Sequence, residues 1–217
     1  MGVTEKPAAG GESANITVGE HDALYTVRPP WEIDGPQPAL ADAAASGLVH
    51  GRVLDAGCGT GEHALMAAGL GCEAVGADLS EVALKRARAK AAERGLTARF
   101  VRHDVLDFGG LGERFDTVLD SLVFHGFRGA ERAEYVESLG AALDPGGRLL
   151  VLCFAEEPPN RPGRVHKVTP EQIETAFMDG WRIDAIDAVT VASALPSLAG
   201  GLRGWRAAVT RTGKDAS

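Results

Sequence analysis

The segment VLDAGCGTG, residues 53–61, constrains the fold more than any other part of the chain, because an apolar stretch runs directly into glycines at 57, 59 and 61. A short apolar run bounded by glycine reads as a buried strand, and glycines at alternate positions read as a backbone that turns tightly and lets a ligand approach closely. A strand that passes through such a loop into a helix is the ligand-binding corner of a doubly wound α/β sheet. The rest of the chain keeps the same rhythm. Strands are predicted at 52–57, 73–78, 99–103, 115–120 and 147–154, with helices at 61–70, 80–94 and 129–143 between them. This alternation marks a parallel sheet with helices on both faces. Ser80 is placed to cap the second helix, and Asp144-Pro145-Gly146-Gly147 to stop the third.

Beyond residue 155 the loop EEPPNRPGRVHK leads to a helix opened by Thr169-Pro170-Glu171, then to strands near 182–190 and 204–211. That makes seven strands, the last two close enough in sequence to form a hairpin-like return. Upstream, Pro29, Pro30, Pro36 and Pro38 predict an extended cover that joins no sheet and precedes a helix at 37–47. The expected organisation is one domain over 48–212, a cover segment and helix over 21–47, and a disordered tail over 1–20. The last five residues have the same tail-like composition.

A net charge of −8 argues against a nucleic-acid partner, which would need clustered Lys and Arg. The basic run Lys85-Arg86-Ala87-Arg88-Ala89-Lys90 reads as the solvated face of a helix. Neither a membrane-spanning run nor a basic-then-apolar leader is visible, so the expectation is a cytoplasmic protein with no membrane partner. Cys58, Cys72 and Cys153 are scattered, without metal spacing to any histidine, so no metal is expected.

The glycine loop reads GxGxG. A dinucleotide pyrophosphate calls for GxGxxG, a P-loop calls for GxxxxGK[ST], and here no lysine follows. Asp55 and Glu62 flank the loop, where carboxylates would repel phosphate but tolerate an amino group. S-adenosylmethionine meets these terms: it carries an ammonium and a sulfonium, and no phosphate. Gly57, Gly59 and Gly61 would let the backbone approach it. Asp78, ending the second strand beside Leu79, is placed to take both ribose hydroxyls. Asp104, ending the third, can accept from the adenine amino group while the Val105 backbone meets the ring edge.

VLDAGCGTGEH, AVGADLS, HDVLDF, FDTVLDSLVFH and LDPGGRLLVLCF resemble, in order over 48–155, the successive motifs of the class I S-adenosylmethionine-dependent methyltransferases. The resemblance implies a Rossmann-like doubly wound sheet of seven strands in the order 3-2-1-4-5-7-6, strand 7 antiparallel, with the cofactor over the first two strand ends. It implies S-adenosylhomocysteine as product. PPWEIDGPQPAL resembles the PPWD-type element of small-molecule methyltransferases of the thiol, halide and thiopurine group, and of actinobacterial relatives acting on toxic heterocycles and phenols. The chain reads Trp-Glu-Ile-Asp-Gly where those relatives often have Trp-Asp-Ile-Gly. The resemblance puts Trp31 near the cofactor, either facing the sulfonium or adenine or pinning the segment to the core. Tyr25 either lines the same cavity or packs.

In such folds FDTVLDSLVFHGF lies on the substrate side, with Asp120 and Ser121 near the methionine amino group and the methyl carbon, and Phe124, His125 and Phe127 as an acceptor wall. No Asn-Pro-Pro-Tyr or Asp-Pro-Pro-Tyr element is present, which speaks against a nucleobase or protein-amide acceptor. His125 and Asp120 are the catalytic candidates. A thiol is already partly ionised at neutral pH, whereas a phenol gains more from a base such as His125. The apolar stretch 191–202 reads as an acceptor cover, a buried loop or a dimer contact. The expected activity is S-methylation of a small-molecule thiol, in detoxification or natural-product tailoring, by a monomer or homodimer. O- or N-methylation of a phenolic or heterocyclic molecule is the alternative, and a non-catalytic S-adenosylmethionine-binding protein is the rival from another class.

Overall fold

The computed structural model describes residues 18–158 and 165–213. The chain opens with α1 (Val18–Leu24), an extended proline-bearing stretch and α2 (Pro38–Ala45). Strands and helices then alternate through β1 (Arg52–Ala56), α3 (Glu62–Gly69), β2 (Glu73–Asp78), α4 (Glu81–Arg94) and β3 (Ala98–Arg102). A 3-10 turn at Val105–Leu111 precedes β4 (Phe115–Ser121), and a second at Phe124–Gly126 precedes α5 (Gly129–Ala142) and β5 (Leu143–Phe154). α6 (Pro170–Ala176), β6 (Trp181–Val191) and β7 (Leu202–Arg211) follow.

The sheet runs β3-β2-β1-β4-β5-β7-β6, with β7 antiparallel to both neighbours, as the resemblance implied. Its middle strands are apolar at nearly every position because side chains alternate between two covered faces. Leu149, Val151 and Cys153 join Leu54, Tyr135 and Leu139 in one core layer. Leu150, Leu152 and Phe154 join Leu40, Val53 and Leu119 in the other. Each fully buried leucine or phenylalanine contributes roughly 1.5–3 kcal/mol.

The helix signals hold at both predicted caps. The Ser80 hydroxyl accepts from the Ala83 amide, and Thr169 forms a reciprocal capping box with Gln172. Three local features depart from the reading. Residues 18–20, expected in the tail, open α1, which is held down where the Asp22 carboxylate accepts from the Ser80 hydroxyl at 2.7 Å. The Asp-Pro-Gly-Gly breaker ends α5, but the chain continues extended as the start of β5, with a register shift opposite Phe115 and Thr117. The 3-10 turn after β3 was not anticipated; Asp104 starts it by accepting from the Leu106 amide at 2.9 Å. The expected tail over 1–17, part of the proline-rich loop (159–164) and the chain end (214–217) lie outside the described residues.

This topology gathers the candidate residues. Ala56 pairs with Ala77 on one side and Asp120 on the other, so the carboxyl ends of β1, β2 and β4 lie side by side. The glycine loop, Asp78 and Ser121 all leave the sheet at that edge.

Candidate active site

The loop after β1 is tied to the end of β2 before any ligand arrives. The Cys58 amide donates to the Ala77 carbonyl at 2.9 Å and the Gly59 amide to Asp78 Oδ2 at 2.8 Å. Gly59 has φ +51°, and a Cβ there would stand 2.8 Å from the Tyr25 hydroxyl. Gly61 has φ +86°, and its Cβ would meet Ala87 and the Phe100 ring at 2.8 Å. Gly57 and Gly59 therefore line the cavity, while Gly61 lets α3 start against α4 and β3. Gly61, expected to let the backbone approach the ligand, does not line the cavity.

Asp78 lines the cavity with Leu79, Asp104 and Val105. Burial pushes the Asp78 carboxyl above its usual range, against the opposing pull of the Ser80 and Gly59 amides. Each oxygen takes one of these N–H groups, at 2.8 Å, and keeps a second lone pair for a ligand hydroxyl.

The other two acids assigned to the cofactor stand behind the lining. Asp55 Oδ2 accepts from the Ala64 amide at 3.0 Å at the head of α3, and Oδ1 is buried without a hydrogen-bond partner. Burial pushes this carboxyl up to about 7. Asp120 accepts from the amides of Val123 at 2.9 Å and Phe124 at 3.1 Å and from the Tyr135 hydroxyl at 2.8 Å. Its carboxyl is raised to about 6, again by burial. Asp120, expected as a catalytic and cofactor residue, is fully buried, holds the turn at Phe124–Gly126 and does not line the cavity. Glu62, read as flanking the ligand, is bound at 2.8 Å by Arg94 and Lys90.

The roof of the cavity comes from two segments far apart in sequence. Tyr25 and Trp31 meet edge to face, centroids 6.3 Å apart, with Tyr25 above Gly59. The Gln37 side chain is clamped on Ala192, donating to its carbonyl at 3.0 Å and accepting from its amide at 2.9 Å. The Ala194 amide donates to the Pro30 carbonyl at 2.8 Å. The stretch expected as an acceptor cover is therefore joined to the proline-bearing segment. His63 supports the joint by accepting from the Gln37 amide through Nε2 at 3.1 Å. Burial pulls its pKa down to about 4, so the ring is neutral. Gln37 and His63 had no assigned role in the sequence reading, because nothing local marks a contact that spans 155 positions.

At the acceptor end, His125 and Phe127 line the cavity, and the His125 ring lies 4.8 Å from that of Phe154. Phe124 does not line it: the ring is fully buried and stacks on Phe177 at 5.6 Å. The floor between β4 and this turn carries backbone strain, since Leu122 has φ 68°, which costs a non-glycine residue about 1–2 kcal/mol.

The cavity so enclosed holds about 480 Å³, within the range of small-molecule sites. Among the described residues that line it are four carboxylates, Glu32, Glu62, Asp78 and Asp104, and no lysine or arginine. Glu32 and Glu62 are held in ion pairs by Arg86, Lys90 and Arg94, so Asp78 and Asp104 carry the remaining acidity of the lining, which with no lysine or arginine of its own suits a phosphate-free ligand better than a phosphate. No cluster of three or more metal-ligating side chains occurs among the described residues.

Comparison with known proteins agrees with this geometry. Residues 53–147 match the family model described as "Methyltransferase domain". The chain is 39% identical over 171 residues to a 2-heptyl-1-hydroxyquinolin-4(1H)-one methyltransferase of Mycobacteroides abscessus, covering 77% of this chain and 75% of that one. It is 30% identical over 128 residues to a probable thiol methyltransferase 2 of Arabidopsis thaliana, covering 58% and 56%. A solved structure described as "Conversion of a Disulfide Bond into a Thioacetal Group during Echinomycin Biosynthesis" superposes with a TM-score of 0.80 at 35% identity, over 93% of this chain and 94% of that chain.

Proposed function

The chain belongs to the class I S-adenosylmethionine-dependent methyltransferases, and we propose that it methylates the sulfur of an apolar small-molecule thiol, in detoxification or natural-product tailoring. The observation that carries this reading is the chemistry of the acceptor end. Leu122, Val123, Phe127, Phe154, Leu198 and Leu202 supply apolar wall, and the imidazoles of His63 and His125 also line the cavity, the His125 ring 4.8 Å from that of Phe154. His63 is neutral and its Nε2 is engaged by Gln37. With Asp78 and Asp104 given to the cofactor and Glu32 and Glu62 held in ion pairs, this reading leaves His125 as the base at hand and suits an acceptor that supplies its own nucleophile. A thiolate does so at neutral pH.

When bound, the cofactor supplies an electrophilic methyl group on a sulfonium sulfur. The protein's part is to position and to exclude water. In this reading Asp78 takes the two ribose hydroxyls with its remaining lone pairs, Gly57 and Gly59 carry the methionine end, and Leu79, Asp104 and Val105 bracket the adenine. Trp31 and Tyr25 close over them. His125 accepts a proton from acceptors that arrive protonated.

A second reading is favoured by the Mycobacteroides relative, which is named for a hydroxyquinolone. In this second reading the acceptor on the present chain is the oxygen of an acidic N-hydroxy heterocycle, which also ionises without a strong base. The test is release of S-adenosylhomocysteine with a thiophenol, a phenol, a heterocyclic amine and an N-hydroxyquinolone, with products identified by mass. Turnover on the thiophenol above the others supports sulfur methylation. Preference for the N-hydroxyquinolone moves the assignment to oxygen, and turnover on the amine alone contradicts both.

A further inference from the structure

The cavity lining carries acids and no cation, yet its acceptor-end neighbours are basic. Arg128 is exposed at the N-terminal cap position of α5, directly after the lining residue Phe127. Arg132, one turn on, donates from Nε to the Phe127 carbonyl at 3.0 Å, and its guanidinium lies 4.7 Å from the centroid of the Phe124 ring. The His166 amide donates to the His125 carbonyl at 3.2 Å, which brings the strand-like segment before α6 to the same edge. His166 reports the local field: burial first, then Arg128 and Arg132, hold its pKa down, and Glu157 acts against them.

The geometry points to Arg128 and Arg132 as a cationic lip beside the acceptor end, selecting acceptors that arrive as anions. The inference rests on the methyltransferase reading and adds the charge state of the substrate. One cavity then has two electrostatic ends. Asp78 and Asp104 favour the cationic cofactor, Glu32 and Glu62 being ion-paired with Arg86, Lys90 and Arg94, and the two arginines favour an anionic acceptor. Transfer between them cancels charge. The lone pair of the thiolate or oxyanion forms the new bond to the methyl carbon, the carbon–sulfonium bond breaks with its pair going to sulfur, and two neutral products remain. No proton moves in that step, because the acceptor lost it to solvent before entry. A neutral methylated product is no longer held by the lip, which favours its release.

The test uses the full chain saturated with S-adenosylhomocysteine. Its probes are 4-nitrothiophenol, an electron-poor thiol that is ionised at neutral pH, and its neutral S-methyl ether. Equilibrium binding of both is measured on the wild type, Arg128→Gln and Arg128→Glu, with thermal melting to confirm folding. Removing one charge should weaken the thiolate about threefold and reversing it about tenfold, with the ether unchanged within about twofold, and the difference should shrink in high salt. Equal losses on both probes, or no change on the thiolate, would overturn the lip. Arg132→Met removes the guanidinium that lies over Phe124 while keeping an unbranched stem, and should reproduce the thiolate loss. Turnover is read in parallel: selective thiolate binding without methylation sinks the catalytic reading and leaves the lip standing, whereas turnover without selectivity does the reverse.

Discussion

Asp78 concentrates the site's demands in one side chain, since its two oxygens already order the Gly59 and Ser80 amides and are the groups offered to a ribose. Replacing Asp78 with Ala should weaken S-adenosylmethionine at least about a hundredfold by titration calorimetry, because two charge-assisted hydrogen bonds and the loop's own anchor go together. Retained micromolar binding would contradict the assignment. His125 separates acceptors by their need for a base: His125→Ala should lower kcat/KM on a phenol by about tenfold or more and on a thiophenol by less than about threefold. Equal loss on both would remove the base role. Asp55 makes a prediction about pH. Its folded carboxyl titrates near 7, above an unfolded value near about 4, so the native state favours the protonated form and loses stability as pH rises from about 4 through 7. Asp55→Asn should therefore be nearly neutral at pH 4 and stabilising at pH 8, by on the order of a few kcal/mol, checked by denaturant melts at both values. Of these residues, Asp78 was legible because its place at a strand end after a glycine loop is fixed by topology. For Asp120 position shows only where the side chain starts, and the fold shows that its oxygens accept from Val123, Phe124 and Tyr135.

At the scale of elements, strand and helix periodicity foretold the sheet well, with β2 as read and the other strands shifted by a few residues, because covered strands and capped helices carry their signal locally. What was not legible is held by contacts across the chain. α1 folds onto α4 through Asp22 and Ser80, and its first three residues fall in the stretch whose composition alone reads as tail. The roof is legible in halves: the prolines mark a cover, and the apolar stretch 191–202 reads as an acceptor cover, a buried loop or a dimer contact, but the Gln37 clamp that joins them has no sequence signal. Gln37→Ala leaves the Ala192 amide and carbonyl without partners, which costs about 1–3 kcal/mol. The roof should then open locally. Faster hydrogen exchange at Ala192 and Ala194, with an acceptor KM raised several-fold and cofactor affinity changed by less than about twofold, is the expected outcome. Unchanged exchange at both amides would mean that the roof is held elsewhere.

Taken as a whole molecule, the protein carries net charge −8, and Asp78 and Asp104 bring part of it to a cavity whose described lining has no lysine or arginine. The sheet order brings three strand ends to one edge, and the two roof segments close that edge against water. Both follow from the central claim that the cavity is built for a phosphate-free, positively charged adenosyl ligand. The most direct measurement is calorimetric titration of the wild-type chain with S-adenosylmethionine and, as a matched adenosine carrying phosphates, ADP. Micromolar binding of S-adenosylmethionine with no detectable ADP binding is the predicted result; comparable affinity for the two, or preference for ADP, would contradict it.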